Sequence, residues 1–356
     1  MSDFLIIGGG IAGLSTAARL APLGSVTLLE AEPSLGYHAS GRSAAIFLRD
    51  YGNDTVRALN YASIAYLEDQ DLLTPRSMML IAGHDKRAAF EAELPSFKME
   101  QISIADAQNK FPILNAKTVG YVGYREDIFD LDADLMLQNF AKAARAHGAT
   151  LITGARVDAI THDRSGWTVQ AGETAHKATT LINAGGAWAD QIAAMAGVRP
   201  LSIQPYRRSF AQLAAPGGQD MTGWPFVDAV EEAWYAKPSA GKMLVSPSEE
   251  DPMDPFDAYA DDMVLAEGLA RYEEMMTESV TRPEITWAGL RSFAPDRALV
   301  LGRDPVAPDF IWCAGQGGYG FQTSPAASQL ILNLIAGTNS ELDDATIAAL
   351  SPARFH

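Results

Sequence analysis

The side chains in this sequence that stand out for chemistry are ones that bind anions. Arg208 lies in Tyr206-Arg207-Arg208-Ser209 and Arg291 in Gly289-Leu290-Arg291-Ser292, both entering or closing apolar stretches. A guanidinium presented to an apolar cavity is costly unless it is paired. A bound carboxylate would pair it through two parallel hydrogen bonds, and an internal ion pair would meet the same need. Tyr51 and Tyr235 could donate hydroxyl hydrogen bonds beside them, or be packed structural residues. The histidines (His38, His84, His147, His162, His176 and His356) have no metal-ligand spacing, and no nucleophile–base triad is legible. No metal is expected.

Two glycine clusters also bind anions, through backbone rather than side chains. Gly8, Gly10 and Gly13 have GxGxxG spacing, with the apolar run Phe4-Leu5-Ile6-Ile7 before them and an Ala- and Leu-rich helix after them. A second apolar run, Val26-Thr27-Leu28-Leu29, closes on Glu30. This strand–turn–helix–strand unit cradles a pyrophosphate at the helix N-terminus and offers Glu30 to ribose hydroxyls. The second cluster, Gly315-Gln316-Gly317-Gly318-Tyr319-Gly320, has the same spacing, but no strand with an acidic end follows its helix. Its N–H groups and helix dipole suit the N1–C2=O edge of a flavin, which becomes negative on reduction; a tight packing turn is the alternative. One complete fingerprint without a second nucleotide unit suits tightly held FAD better than exchangeable NAD. Gly185-Gly186 offers a further close backbone approach, and His38 lies in the presumed cofactor loop.

These groups need a scaffold. Helical spacing is read over 55–67, 86–94, 132–147, 188–196, 261–278 and 322–336, with Asp132 or Asp134 as a cap and Gly148 as a stop. Strands are read over 77–82, 118–124, 150–153, 167–171, 177–182, 209–213, 233–237, 242–246, 285–290, 298–301 and 310–314. The βα pattern of the N-terminus resumes near residue 130, whereas 203–291 is strand-rich and punctuated by proline. The fold class is therefore α/β (α+β overall): a Rossmann-like FAD-binding domain from 1–50, 130–200 and 292–356, interleaved with a mostly antiparallel substrate domain from 51–129 and 201–291. Ligands would lie over the carboxyl ends of the parallel strands.

Composition narrows the partners. A net charge of −17 disfavours nucleic acid and anionic membrane surfaces. Clusters such as Glu249-Glu250-Asp251 are read as solvated surface. The single cysteine, Cys313, reads as a buried strand thiol rather than a covalent flavin link. With no signal peptide and no stretch of about 18 apolar residues, a cytoplasmic location without a membrane span is expected.

Taken in order, GGGIAG, GYHASGRSAA, INAGGAWAD, YRRS, WYAKP, TWAGLRSF and GQGGYGFQTS resemble the D-amino-acid oxidase superfamily of FAD enzymes, and within it bacterial D-arginine dehydrogenases, over almost the whole chain. The resemblance implies non-covalent FAD held at the N-terminus by Gly8, Gly10, Ile11, Ala12 and Gly13, and then by Glu30 and Ala31. Ala39, Ser40, Arg42, Ser43 and Ala44 follow, with Val157, Ala184, Gly185, Trp188 and Gly302. The last segment is Gly317, Gly318, Tyr319, Gly320, Phe321 and Gln322. It also implies that Arg208 and Arg291 hold a substrate α-carboxylate beside Tyr51 and Tyr235, with the Gly318 carbonyl helping to hold the α-amine. A hydride would pass from Cα to flavin N5, and the imino acid would hydrolyse to a 2-oxo acid and ammonia.

Two positions depart from D-arginine dehydrogenase: Met78 stands where a Glu binds the substrate guanidinium, and Ile46 where an active-site His is found. With Gln322 they form the expected substrate pocket, and the loss of both polar groups favours apolar or neutral D-amino acids over D-arginine. The alternatives are an oxidase of glycine, sarcosine or other N-methyl amino acids, a 2-hydroxy acid flavodehydrogenase, and a non-catalytic flavin-binding protein. The electron acceptor would be a quinone or similar carrier, or oxygen.

Overall fold

A computed structural model describes residues 1–280 and 282–356; Thr281, in the segment ascribed to the substrate domain, lies outside the described residues. The strand Ser2–Ile7 is apolar along its buried length, as the centre of a parallel sheet covered on both faces requires. It pairs in parallel with Val26–Leu29 and Thr174–Asn183. Thr150–Ile152 and Phe310–Ala314 extend the parallel array on either side, and Val300–Arg303 closes one edge antiparallel. Val157–Asp163 and Gly166–Ala171 form an antiparallel extension of Thr174–Asn183. Leu14 and Ala17 of helix Ile11–Leu20, Met136 and Phe140 of Ala133–Ala146, and Leu330 of Gly320–Ala336 share one core with Ile6 and Leu28 of the sheet. Each such fully buried Leu or Met contributes roughly 1.5–3 kcal/mol relative to exposure.

The second sheet is larger. Its order is Asp251–Pro252, Gln204–Leu213, Lys242–Ser246, Tyr235–Ser239, Phe226–Ala229, Leu73–Gly83, Val119–Leu131 and Ile46–Phe47. Ile285–Phe293 pairs with Gln204–Leu213, and Glu100–Ile102 with Val119–Leu131. Among the described strands of this second sheet, only the pairing of Phe226–Ala229 with Leu73–Gly83 is parallel. Strand periodicity sorts the faces. Met79, Val227, Ala236, Val245 and Ala211 enter a core with Leu265 and Leu269 of helix Asp262–Glu274. Asp261 caps that helix by accepting from the Met263 and Val264 N–H groups. The opposite face carries the site.

Several elements differ from the sequence reading. Phe226–Ala229, Val157–Asp163, Glu100–Ile102, and the helices Ile104–Lys110 and Asp344–Leu350 were not predicted; all are short, so their periodicity is weak. Ile46–Phe47, inside the segment 1–50, pairs into the second sheet. Helix Asp54–Asp69, inside 51–129, packs Val56, Leu59 and Leu67 into the core of the first sheet. No described helix is long and apolar enough to cross a membrane.

Candidate active site

A cavity of about 1120 Å³ runs from the carboxyl ends of the parallel strands to the face of the second sheet. That exceeds the roughly 300–1,000 Å³ of ordinary ligand pockets. Its far end begins at Gly8, whose φ of +110° and contact with the Ala184 carbonyl leave no room for a Cβ. A Cβ on Gly13 would lie 1.9 Å from the Gly8 carbonyl oxygen, so Gly13 packs the helix onto the strand from beneath the cavity. The Ile11 N–H donates to Ser40 Oγ at 3.0 Å. Glu30 is buried on the cavity wall and accepts from the Gly9 N–H at 2.6 Å and the Glu32 N–H at 2.8 Å, so each carboxylate oxygen keeps a further lone pair. The Arg42 guanidinium is engaged inside the protein, by the Ala258 and Ala288 carbonyls and Asp257, so it ties this loop to the second sheet. His38 lines the cavity, donating to or accepting from Glu32 at 3.0 Å, with its ring 4.6 Å from that of Trp188.

The second glycine cluster follows Phe310–Ala314, two strands from Ser2–Ile7 in the parallel array, and its Gly320 lies against Ile11. Gly317 has φ +52° and its N–H donates to the Ser292 carbonyl, which joins the cluster to the arginine-bearing strand. Gly318 lies against the Arg291 guanidinium, where a Cβ would fall 1.9 Å from Nη2. Helix Gly320–Ala336 starts here, with Gln322 in its first turn. Gln322 Nε2 is buried without a hydrogen-bond partner among the described residues, on the wall of the cavity.

Register explains the third part of the site. Arg208 faces Gly289 across the antiparallel pair and Tyr206 faces Arg291, so the even–odd alternation puts both guanidiniums on one face and Arg207 on the other. The same register logic aligns Phe210, Tyr235 and Asp228, since Tyr235 faces Asp228 directly, and Met78 faces Phe226. All of these line the cavity. The Arg291 Nη2 donates to the Tyr51 hydroxyl at 3.3 Å. Tyr51 is held by its loop: the Asn60 amide donates to the Leu48, Arg49 and Tyr51 carbonyls. Burial works against the Arg291 cation, but Tyr51 and Tyr235 more than compensate and it stays charged. Burial raises the Tyr235 hydroxyl above its ordinary value despite Arg208 and Arg291. Burial, then the nearby Glu232 and Glu93, raise Asp228 well above the ordinary carboxyl range.

The cavity thus brings together the three glycine segments, Ala31, Ala39, Ser43, Ala44, Val157, Ile46, Met78 and the four Arg and Tyr residues. It does not bring in Gly302, which is on the edge strand Val300–Arg303, where an added Cβ would meet Leu334 and Pro352. Tyr319 stacks edge-on against Tyr51 at 5.2 Å rather than lining the wall. The reading of Glu249-Glu250-Asp251 as solvated surface is corrected. The Glu249 side chain is 7% exposed beside Arg207, and Glu250 lies among Arg208, Arg291 and Arg297. In this structure both site arginines therefore rest on an internal carboxylate. Asp228, Glu232 and Glu93 on the cavity wall were also missed. The only signal in the sequence for Asp228 was its place in a short run between two apolar residues, Val227 and Ala229.

Residues of this kind fit FAD: a glycine cradle closed to any Cβ, a buried acid with free lone pairs, and an orphaned amide at a helix start. Cys313 is buried away from the wall beside Thr16, and burial pushes its thiol up to about 11. The comparisons agree. FAD-dependent oxidoreductase domain-containing protein 1 of Bos taurus is 23% identical over 405 residues, covering 94% of this chain and 81% of that protein. L-2-hydroxyglutarate dehydrogenase of Escherichia coli is 27% identical over 246 residues, covering 62% and 56%. Among solved structures, L-proline dehydrogenase from P. horikoshii superposes with a TM-score of 0.84 at 21% identity, covering 99% of this chain and 97% of that one. Glycine oxidase from Geobacillus kaustophilus gives 0.83 at 21%, covering 98% of each. These share the mixed fold seen here, a parallel sheet beside a largely antiparallel one. None of these four is a D-arginine dehydrogenase, so that narrower likeness rests on the motifs alone. The family model described as DAO, FAD dependent oxidoreductase, matches residues 3–334, and the chain belongs to that family.

Proposed function

We propose that this protein oxidises the α-amine of a D-amino acid with non-covalently held FAD, and that it favours apolar or neutral side chains. The observation that carries this reading is the convergence of Arg208 and Arg291 with Tyr51 and Tyr235 at the end of the cavity that begins at the glycine cradle. Two guanidinium forks there suit a carboxylate, and the Tyr51 hydroxyl, already on Arg291, can turn its proton toward one carboxylate oxygen. The Gly318 carbonyl then holds the α-amine, and Tyr235 closes the other side. Bound FAD supplies the acceptor for a hydride from Cα. The protein's part is to fix the carboxylate so that the Cα–H points one way, and to keep water out with Phe210, Phe226, Met78 and Ile46. The substrate binds as the zwitterion, and its ammonium must lose a proton before the hydride leaves Cα. The imino acid is hydrolysed in water to a 2-oxo acid and ammonia, and a quinone-type carrier takes the electrons. A cytoplasmic location and a nucleotide domain from 1–50, 130–200 and 292–356 complete the reading, with 51–129 and 201–291 supplying the substrate side.

The apolar wall supports a neutral side chain. A charged one placed against Met78 would forgo a charge-assisted hydrogen bond of about 1.5–3 kcal/mol. One observation favours a second reading: Asp228, with Glu232 and Glu93 near it, is a carboxyl on the wall that could meet a basic side chain. Anaerobic absorbance of the flavin on adding D- and L-amino acids, glycine, sarcosine and 2-hydroxy acids separates these. Reduction by D-Met or D-Leu is expected. Equal or faster reduction by D-arginine would transfer the assignment to the Asp228 reading, and reduction by hydroxy acids alone would overturn both. Hydrogen peroxide released in air would make oxygen the acceptor.

A further inference from the structure

Glu250 lies where a ligand's carboxylate is expected. Its Oε1 is 3.4 Å from Arg291 Nη1 and 3.5 Å from Arg208 Nη2. Its grip on Arg297 is tighter, with Nη2 2.9 Å from Oε1 and 3.1 Å from Oε2. The Arg208 and Arg291 side chains are 6% and 15% exposed, whereas Arg297 is 45% exposed. We propose that Glu250 is a built-in competitor for the carboxylate site. In the free protein it neutralises Arg208 and Arg291, and an incoming carboxylate displaces it onto Arg297. The proposal rests on the reading above that these two arginines take the substrate carboxylate.

The physical need is plain. Two buried guanidiniums on one sheet face repel each other and must have an anion between them. Arg208 has further partners, the Glu249 carbonyl at 3.0 Å and Glu232 Oε2 at 3.7 Å, but Glu250 is the carboxylate that touches both site arginines. Its outer post is fixed independently. The Arg297 guanidinium stacks 3.8 Å from the centre of the Phe293 ring, at the end of the strand that carries Arg291. The backbone of Glu250 is fixed as well, because Asp251–Pro252 pairs with Tyr206 and Arg207. Exchange therefore needs only a turn of one side chain. Oε1 leaves two long contacts while Oε2 keeps its contact with Arg297.

The consequence is selectivity by charge. A ligand enters only if it replaces a full negative charge across both arginines. A carboxylate does, and a neutral amide or ester of the same shape does not. Apparent affinity for the carboxylate is then the intrinsic affinity less the hold of Glu250.

The test uses the FAD-loaded protein and propionate, which cannot be oxidised at an α-amine, with propionamide as the neutral control. Binding is read from the difference absorbance of the flavin and from the ligand-induced shift in Tm. Glu250→Gln should tighten propionate binding about tenfold, the scale of one charge-assisted contact removed from the competitor, and leave propionamide unaffected. Arg297→Ala should do the reverse, weakening propionate several-fold, because Glu250 loses its outer post and settles on the site. This second variant removes an exposed side chain and keeps the test open if Glu250→Gln folds poorly. Unchanged or weaker propionate binding in Glu250→Gln, or unchanged or tighter binding in Arg297→Ala, overturns the proposal. Arg291→Ala separates this from the wider reading. Propionate binding that depends on Arg291 but ignores Glu250 sinks only the competitor, whereas binding indifferent to Arg291 sinks the carboxylate site itself.

Discussion

Replacing Arg291 by alanine removes the guanidinium that lies against Gly318, donates to Tyr51 and shares Glu250 with Arg208. Glu250 keeps Arg297 and Arg208, so no buried carboxylate is stranded and the fold should hold. The substrate carboxylate loses one fork of charge-assisted bonds, each about 1.5–3 kcal/mol, while Arg208 retains part of the hold. A net loss of about 2–4 kcal/mol follows, which is a rise in KM of roughly 30- to 900-fold. The FAD content should not change, because Arg291 is at the substrate end of the cavity. The assay is steady-state turnover with an artificial electron acceptor, after the ratio of flavin to protein absorbance has shown that FAD is retained. Arg291→Lys should recover little of the loss, since an ammonium cannot reproduce the planar fork. An unchanged KM with FAD still bound would mean that Arg291 is an internal ion-pair partner of Glu250 and no more.

Two further substitutions probe the other parts of the site. Gly13→Ala places a methyl group 1.9 Å from the Gly8 carbonyl oxygen, so the helix must shift off the strand. A loss of about 1–3 kcal/mol in denaturant unfolding and a fall in bound FAD are expected, and full FAD occupancy would refute the packing role. Asp228 is raised well above the ordinary carboxyl value, first by burial and then by Glu232 and Glu93. Between that ordinary value, about 3.9, and its raised one, the folded state holds more protons than the unfolded state, so stability falls as pH rises through the window. Asp228→Asn escapes this, and its Tm relative to the parent should climb from acid to neutral pH; a constant difference would show that Asp228 is not raised.

How far the sequence was legible depended on the distance over which each feature is encoded. The glycine cradle and Glu30 lie within one βαβ unit, and their spacing alone specifies the turn, the helix start and the acid. Arg208 and Arg291 were legible as side chains in search of an anion, because an arginine in an apolar strand has few other reasons to be there. That Glu250 meets both of them was not legible. Glu250 stands in a run of three acids, and such runs are usually solvated; only the pairing of Asp251–Pro252 with Tyr206 and Arg207 turns it inward. Asp228 was hidden for a different reason. Phe226–Ala229 is a four-residue strand, and its partner Leu73–Gly83 is more than a hundred residues away, so its alternation is too short to reveal a face. Helix Asp54–Asp69 shows the same limit at the level of domains. Its periodicity was plain, but the surface that its apolar stripe would meet was not.

The charges around the site bear on which relatives offer the better analogy. The chain has a net charge of −17, and Glu93, Glu231, Glu232 and Asp228 line the substrate end of the cavity. A second negative charge on a ligand would sit near these carboxyls, where two like charges about 6 Å apart cost on the order of 3 kcal/mol at an effective dielectric of 20. A zwitterion avoids the cost, because its own ammonium offsets the carboxylate that Arg208 and Arg291 are proposed to bind. A 2-hydroxy dicarboxylate, the type of substrate for which one relative, L-2-hydroxyglutarate dehydrogenase, is named, brings two uncompensated charges into the same field. Glycine and proline, named in the two structural neighbours, bring none. The arginines alone would serve every one of these ligands equally. The acids around them favour the proposed amino acids over hydroxy acids, and no motif marked them: Asp228 is placed by sheet register, Glu93 by the helix Arg87–Glu93, and Glu231 and Glu232 by the turn after Phe226–Ala229.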